Sequence, residues 1–539
     1  MDIVWSGLTT MAYDWTIRGG TILGGAGEPR RADLALEAGR IARIAPGLGP
    51  AAHDLDATGL FVAPGFIDIH CHSEFSALVY PLAESKVLAG VTTDVSGNCG
   101  GSPFPLVGEY RARREADWRS HGLALDWNSP AEYFARAEAI PSSVNRAILA
   151  GHGAIRAAVV GYADRPSTPE ERRRMRRHLE EALQAGAFGL SSGLLYPPGC
   201  YADVAELADL ARVSAAAGGY YASHIRSEGD ALLEALDEFL EVVRRSGVRG
   251  QISHLKASGR RNWPKAAEAI RKIRAARREG LNVAADRYPY LASMTDLDSI
   301  LLAPWALEGG TEQELARLAD PDVRSRLLEE VRRGHPAAGG GEGVLIASVS
   351  PDGPQDACGK TLRALGEEAG RDPIEVGLDL ILEHRTQVMA IYFSMSEDGL
   401  RAILSEPYVA IGSDSGLRRL PAEGDPECKA LAHPRAYGTP ARFLGQYVRQ
   451  AGLMDWPEAI RRLTRLPADV LGLEDRGRIA EGAWADLVVF DPHSIADRAT
   501  YEHPWASPAG IRDVFVCGRA VVSNGRHTGA RPGRVLRRP

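Results

Sequence analysis

Short apolar runs alternate with amphipathic stretches through the middle of the chain. Eight runs have the length of strands, and helix-like stretches such as residues 169–185 and 231–245 lie between most of them. Strands that alternate with helices are typical of a parallel sheet, and eight such units favour a closed, TIM-like (β/α)8 barrel of the α/β class over an open sheet. The predicted strands are Phe66–His70, Thr92–Asn98, Arg146–Gly153, Ala187–Gly193, Gly219–Ile225, Arg249–Leu255, Asn282–Pro289 and Tyr408–Asp414.

The two ends of the chain have a different pattern, with two-residue alternation and frequent turns. Residues 15–37, 476–491 and 514–522 show it most clearly. Such alternation is typical of half-buried strands. We therefore predict one small β domain built from residues 1–63 and 475–539, beside a barrel of residues 64–474. The long gap between the seventh and eighth strands, about residues 290–407, predicts a flap insertion over the catalytic face of that barrel.

Composition and charge exclude several classes of protein. The 539 residues are 45% hydrophobic and 25% charged, which is ordinary for a globular protein, and the net charge of -7 gives no basic footprint for nucleic acid. Six cysteines without paired spacing predict reduced thiols and a cytoplasmic location. No apolar run approaches the ~20 residues of a membrane span, so no membrane partner is expected. Met1 to Thr10 lack the features of a signal peptide, and we interpret them as a tail or a start-site artefact.

Metal-ligand side chains stand at the ends of the predicted strands, where a (β/α)8 barrel places its active site. Zinc accepts imidazole, thiolate and carboxylate, and a catalytic zinc site leaves one position open for water. A lone His-X-His pair, or a cysteine in a glycine turn, is often structural. The ordered set at successive strand ends instead predicts a hydrolytic zinc site, whose members are His70, His72, Cys99, His224, His254 and Asp414.

Two cations and one further histidine accompany this set, and one of its members, Asp414, has a second predicted role. Arg226 and Lys256 each follow a strand-end histidine by two residues, so the strand period directs them into the barrel mouth. Either an anionic substrate or an acidic neighbour would balance them, and substrate contact is favoured more for Lys256. Asp414 is suited to take a proton from the attacking water and pass it to the leaving group, with a helix N-cap as the alternative. For His152, a structural role is favoured.

The motifs around these residues resemble the amidohydrolase superfamily and, within it, the N-acyl-D-amino-acid deacylases (D-aminoacylases). The superfamily likeness lies in residues 65–72 and 482–491. The deacylase likeness lies in residues 97–100, 191–196, 223–228 and 433–439. The resemblance extends over nearly the whole chain from Tyr13 onward. It implies the barrel and the flap that the hydrophobic pattern predicts, and it further implies that the small β domain from both termini, residues 1–63 and 475–539, is a β-sandwich.

The resemblance also implies how the metal ligands divide. A tight zinc would be held by Cys99, His224 and His254, and a second, weaker metal position by His70, His72 and Asp414. Many superfamily members bridge two metals with a carboxylated lysine at the fourth strand. Residues 191–193 contain no lysine, so the cysteine would replace it.

The family mechanism then assigns roles to several side chains. Zinc would polarise the acyl carbonyl and lower the pKa of its water toward ~7. Asp414 would act as general base and then as general acid, while Tyr196 would donate a hydrogen bond to the oxyanion, an interaction often worth ~3 kcal/mol. The implied contacts to a small N-acylated amino acid are Arg435 and Lys256 at its α-carboxylate, with Ser293 and Tyr288 at the start of the flap.

Two departures from the family pattern mark a divergent branch. Ser73-Glu74-Phe75 stand where the best-known D-aminoacylases have acidic residues, and Pro440 replaces an aromatic residue. We predict a zinc-dependent amidase that releases a carboxylate and a free D-amino acid. Two alternatives stay open: a cyclic-amide hydrolase such as a hydantoinase or dihydroorotase, and a non-catalytic scaffold on the same fold. The absent fourth-strand lysine counts against the first, and the retained ligands count against the second.

Overall fold

The computed structural model describes residues 13–25, 28–334, 341–422, 425 and 430–538. The proposed N-terminal tail, residues 1–10, lies outside this part of the chain. No helix among the described residues combines the length and the apolar character needed to cross a membrane.

Eight parallel strands form the barrel, which confirms the predicted fold class. Neighbouring strands pair in parallel register from the first to the last. A bridge between Cys71 and Ser415 and a 2.7 Å hydrogen bond from the Asp414 amide to the His70 carbonyl close the ring. The strands are β1 (Phe66–Asp68), β2 (Val91–Ser96), β3 (Asn145–Ile148, continued by Ala150–Gly151), β4 (Gly189–Gly193), β5 (Tyr220–His224), β6 (Arg249–Ile252), β7 (Val283–Arg287) and β8 (Val409–Ile411).

Several strands end earlier than the hydrophobic pattern predicts. β1 ends two residues before His70, β6 two residues before His254, and β8 three residues before Asp414. The side chains at these positions therefore lie on turns beyond the strand ends. Since two of the turns pass through a left-handed backbone conformation, they cannot continue the sheet.

Amphipathic helices surround the barrel. In Pro169–Ala185, Thr168 and Glu171 form a reciprocal capping box and Pro169 occupies the first turn, so the helix begins where its sequence directs. Its buried face points to the barrel core through residues spaced at three and four, and Gly186 ends the helix in a left-handed conformation. The helices are Ser76–Val79, Glu84–Val87, Gly108–Trp118, Pro130–Glu138, His152–Val159, Pro169–Ala185, Val204–Ala216, Leu232–Ser246, Lys265–Arg278, Glu397–Leu404, Arg435–Arg442, Trp456–Leu463 and Arg465–Leu471.

Two sheets built from both ends of the chain pack against each other beside the barrel. Their shared core holds apolar side chains from both regions, including Leu34, Ile41, Val489 and Phe515. One sheet has the order Arg40–Ala45, Asp33–Glu37, Tyr13–Arg18, Ala51–Asp56. The other has the order Arg526–His527, Arg519–Ser523, Ile511–Val516, Leu487–Phe490, Phe61–Pro64, Thr21–Ile22, Arg30–Arg31.

The segment between β7 and β8 has a hydrophobic core of its own. Its antiparallel sheet places Met389–Phe393 between Ala292–Asp296 and Val344–Ser348. Because Ala292 follows β7 after only four residues, the sheet is attached at the carboxyl face of the barrel. Its principal helices are Leu297–Leu301, Thr311–Ala319, Pro321–Gly334, Leu362–Ala369 and Pro373–Glu383. This segment is hereafter called the flap.

Candidate metal centre at the barrel mouth

The six predicted ligand side chains come together at the carboxyl end of the barrel, in two overlapping groups. Within each group, the candidate ligand atoms lie within 4.8 Å of one another. Cys99 belongs to both groups. The groups are Cys99, His224 and His254, and His70, His72, Cys99 and Asp414.

The first group combines one thiol with two imidazoles. The Cys99 Sγ lies 3.5 Å from the His254 Nε2, and the rings of His224 and His254 meet edge to face with centroids 4.5 Å apart. His224 is 4% exposed, yet neither of its ring nitrogens has a hydrogen-bond partner among the described residues. Because a buried polar atom without a partner is costly, this histidine has the character of a metal ligand. One sulfur and two nitrogens also form a donor set that zinc prefers.

The second group is centred on Asp414. Its Oδ1 lies 3.0 Å from the His72 Nε2 and 3.4 Å from the His70 Nε2. The His70 Nε2 is in turn 3.4 Å from the Cys99 Sγ, so the two groups are in direct contact. Two imidazoles and a carboxylate sharing a thiolate with a neighbouring group could hold a second cation.

Backbone conformation directs three of these side chains into the mouth. Cys99, His254 and Asp414 have positive φ values of 51°, 34° and 53°, which residues other than glycine rarely adopt. Such outliers commonly cluster at functional sites, where the surrounding structure holds them. At Gly193, a Cβ atom would meet the Cys99 carbonyl oxygen at 2.1 Å, so the cysteine turn packs backbone to backbone on the end of β4.

The charges of the two groups are mutually dependent. Burial raises the pKa of the Cys99 thiol, but the neighbouring His70 and His254 outweigh it and hold that pKa well below its usual value. Burial likewise opposes ionisation of Asp414, but the charge of Arg435, whose Nη1 lies 2.8 Å from the Asp414 Oδ2, keeps the pKa of this carboxyl well below its usual range. A thiolate and a carboxylate are the protonation states that bind metal.

Predicted substrate contacts line the same mouth. The Tyr196 hydroxyl lies 3.0 Å from the Thr295 hydroxyl on the flap, and its ring packs edge to face against His224 at 4.9 Å. Burial raises the pKa of Tyr196 well above its usual value, so the hydroxyl keeps its proton. The Arg435 guanidinium lies 4.8 Å from the ring centroid of Tyr288.

Further contacts tie the guanidinium to the flap. Arg435 donates from Nη2 to the Met294 carbonyl at 3.3 Å. Met294 and its neighbour Ser293 belong to the flap strand Ala292–Asp296. The structure thus places Ser293 one residue from the carbonyl that contacts this cation.

Both cations that follow the strand-end histidines have acidic partners. Lys256 forms an ion pair with Glu228 and lies 2.8 Å from the His254 Nδ1. Arg226 forms a two-pronged ion pair with Glu238, at 2.9 and 2.8 Å. For Arg226, the alternative of an ion pair with an acidic neighbour therefore describes the structure.

His152 is fully buried and is paired with an acidic side chain. Its Nε2 lies 2.8 Å from the Glu206 carboxylate, which also pairs with Arg156. This arrangement agrees with the structural role that the sequence favours.

Asp286, on β7, is a site residue that the sequence analysis missed. It is fully buried, and its carboxylate lies 3.0 Å from the His70 Nδ1 and accepts a 2.8 Å hydrogen bond from the His254 backbone amide. A third hydrogen bond comes from the Gln251 side chain at 2.6 Å. The sequence contains an indication of this role, because a carboxylate inside an otherwise apolar barrel strand is rarely accidental.

Lys86 is a second residue that the sequence analysis missed. It is 1% exposed, and its ammonium group donates to the Asp68 Oδ2 at 2.7 Å and to the Ser413 hydroxyl at 2.8 Å. Asp68 also accepts a 2.8 Å hydrogen bond from the Ser413 amide, directly before Asp414. No local pattern marks this lysine, since only the closed barrel brings its helix to the end of β8.

Comparison with protein families finds a match to the model described as "Amidohydrolase family" over residues 55–522. Among curated proteins, the chain is 39% identical to N-acyl-D-glutamate deacylase of Alcaligenes xylosoxydans xylosoxydans, covering 97% of this chain and 96% of that protein. It is 36% identical to D-aminoacylase of the same organism, covering 98% of each chain.

Solved structures of deacylases are also similar to this chain. N-acyl-D-glutamate deacylase from Bordetella bronchiseptica, complexed with zinc and a phosphonate mimic of the tetrahedral intermediate, has 35% identity and a TM-score of 0.81, over 97% of this chain and 99% of that one. A D-aminoacylase structure has 32% identity and a TM-score of 0.81, over 98% and 100%. A D-hydantoinase from a Bacillus species has 16% identity and a TM-score of 0.56 over 97% and 99%, which is a likeness of fold alone.

Proposed function

The chain belongs to the amidohydrolase family, and from that premise we propose that it is a metal-dependent hydrolase that cleaves N-acyl-D-amino acids to a carboxylate and a free D-amino acid. The observation that carries the proposal is the pair of ligand groups sharing Cys99 at the barrel mouth, beside Asp414, Tyr196 and Arg435. Whole-length relatives at 35–39% identity are N-acyl-D-amino-acid deacylases, which supports the same reaction on linear amides.

The residues present suit a resident zinc ion. Cys99, His224 and His254 would hold it, because they supply one thiolate and two imidazoles. In addition, the two buried ring nitrogens of His224 have no hydrogen-bond partner in the described part of the chain. His70, His72 and Asp414 would hold a second, more weakly bound cation. When bound, zinc supplies Lewis acidity toward the acyl carbonyl and acidifies the attacking water.

Protein side chains perform the remaining steps. The ionised Asp414 carboxylate accepts a proton from the attacking water as its oxygen adds to the acyl carbon. Tyr196, still protonated, donates a hydrogen bond to the oxygen that becomes negative, an interaction worth about 3 kcal/mol. Asp414 then returns the proton to the amide nitrogen as the carbon–nitrogen bond breaks, which releases the amine.

The cations at the mouth orient the substrate. Arg435 presents a planar guanidinium, which suits a two-pronged contact with an α-carboxylate. The Lys256 ammonium lies 5.9 Å from the centroid of the same Tyr288 ring. Ser293 and Tyr288 complete the contacts from the beginning of the flap.

Amine release by the zinc-loaded protein tests the proposal directly. Matched panels of N-acetyl-D- and N-acetyl-L-amino acids would be compared at equal concentration, with a hydantoin and a dihydropyrimidine as cyclic-amide controls. We expect turnover of at least one N-acetyl-D-amino acid and no turnover of its L-enantiomer. Turnover of the cyclic amides alone would instead assign the hydantoinase-like reaction, and a protein that binds no zinc would indicate a scaffold.

A further inference from the structure

The turn that carries Tyr196 connects the end of β4 to the α-helix that begins at Val204, and it includes a short 3-10 helix at Gly199–Tyr201. At its beginning, the Leu194 amide donates to the His224 carbonyl at 2.9 Å. Further along, the Cys200 amide donates to the Tyr196 carbonyl, also at 2.9 Å. The position of Tyr196 is therefore coupled to the position of Cys200, four residues later.

Arg226 holds the far end of this turn. Its Nη1 donates to the Cys200 carbonyl at 2.5 Å, and its Nη2 donates to the Ala202 carbonyl at 2.8 Å. The same guanidinium donates two hydrogen bonds to the Glu238 carboxylate, on the helix Leu232–Ser246. Four contacts through the three guanidinium nitrogens thus join the turn after β4 to the helix after β5.

The geometry is specific for arginine. A planar guanidinium can direct N–H groups at two carbonyls and a carboxylate together, whereas a lysine ammonium is a single point charge with three donors. Arg226 is about one third exposed. An ion pair with that exposure contributes little to global stability, so replacing the arginine should leave the fold intact.

We propose that Arg226 is a positioning residue: by clamping the carbonyls of Cys200 and Ala202, it holds the Tyr196 side chain against His224 of the ligand cluster. This inference rests on the proposed function, in which Tyr196 stabilises the oxyanion. Misplacing a catalytic group by about 1 Å can cost on the order of 100-fold in rate. The role of Arg226 differs from substrate binding, since its contacts go to the turn and to Glu238.

A double-mutant cycle tests the proposal through turnover. Arg226→Lys should lower kcat by about tenfold with KM changed less than about twofold, and Tyr196→Phe should lower kcat by about 100-fold. In the Tyr196→Phe background, Arg226→Lys should add less than about twofold, because the group that it positions is already gone. Independent, multiplicative effects would overturn the proposal, and so would near-normal turnover of Tyr196→Phe.

Arg249→Lys is the matched control. Arg249 also donates to two carbonyls, those of Asp469 and Gly218, but it begins β6 at the opposite end of the barrel. This variant should keep wild-type kcat and KM. An equal loss in both lysine variants would mean that Arg226 acts only through general stability, which would overturn the proposal.

Cysteine alkylation separates this inference from the proposed function. Cys200 and Cys358 are both partly exposed free thiols, and Cys358 lies in the flap. With iodoacetamide and peptide mass mapping, Arg226→Lys should raise the alkylation rate of Cys200 by about threefold or more and leave Cys358 unchanged. If no N-acyl amino acid is turned over but Cys200 becomes more reactive, the clamp stands and the proposed reaction fails. An unchanged Cys200 rate would overturn the clamp whatever the substrate.

Discussion

Replacing Asp286 by asparagine should weaken metal binding without unfolding the barrel. The Asp286 carboxylate faces three nitrogen partners, in His70, His254 and Gln251. Asparagine can keep an oxygen toward the histidines, while Gln251 turns its Oε1 toward the new amide; this buried oxygen has no hydrogen-bond partner among the residues that the structure describes. What is lost is the charge: hydrogen bonds to charged groups contribute about 1.5–3 kcal/mol and neutral ones about 0.5–1.5.

A difference of about 1–2 kcal/mol corresponds to roughly 5–30-fold in an equilibrium constant. Carboxylates that orient metal-binding histidines typically contribute 10–100-fold to metal affinity, which agrees with this value. We therefore expect Asp286→Asn to weaken zinc binding by about tenfold. The effect should be larger at the His70 position, because the contact there is to the imidazole itself and the contact to His254 is to its backbone.

Competition between the metal-free protein and a chromophoric zinc chelator would measure the zinc affinities of wild type and of Asp286→Asn. Asp486→Asn is the matched control, since Asp486 is 5% exposed and accepts a 2.7 Å hydrogen bond from the Cys517 amide and a 3.1 Å bond from Asn145, away from the mouth. This control should alter the thermal midpoint only. The reasoning is refuted if Asp286→Asn binds zinc within twofold of wild type, or if Asp486→Asn weakens zinc binding equally.

Three further outcomes are expected. Asp414→Ala should abolish turnover, while metal analysis should still find the tightly bound zinc in stoichiometric amount. Cys99→Ala should lose that zinc. Near-normal turnover of Asp414→Ala would contradict the role of Asp414 as the base. Arg435→Ala should raise KM about tenfold or more for substrates with a free α-carboxylate and leave the KM of their α-amides unchanged, and equal effects on both would exclude the carboxylate contact. Burial disfavours the Glu206 carboxylate, but hydrogen bonding to His152 and the charge of Arg156 lower its pKa to about 2. The resulting stabilisation of the folded state, on the order of 3 kcal/mol, is present above pH ~4.5 and is lost as the pH falls toward 2. Glu206→Gln should therefore lower the free energy of urea unfolding at pH 7 and lower it much less near pH 2. An equal loss at both pH values would contradict this reasoning.

Ligands at or just beyond the strand ends could be predicted from the sequence, because each follows an apolar run of strand length. The structure places His70 and His72 after the end of β1, and it brings both into one group with Asp414. Cys99 could be predicted because the glycines around it indicate a turn that is tight enough to pack on β4. The barrel itself followed from counting eight strand-like runs between helices.

The supporting residues could not be predicted in the same way. Lys86 reaches Ser413 only when β8 closes against β1, and Arg226 meets Cys200 only when two consecutive barrel units pack side by side. Both contacts depend on the closed barrel rather than on local pattern. The strand period predicts that Arg226 points into the mouth, but the structure directs it to the Cys200 carbonyl and to Glu238 on the neighbouring helix.

The shared sheet at the two ends of the chain has a consequence for how the protein is made. Phe61–Pro64 pairs with Leu487–Phe490, about 420 residues later. At a synthesis rate of about 5–20 residues per second, this early strand waits roughly 20–85 s for its partner. An unpaired strand edge is a site of aggregation during that interval. A chain stopped after Arg435 would carry every candidate ligand, yet it would leave that edge open; we expect such a fragment to aggregate on the ribosome rather than yield a smaller enzyme.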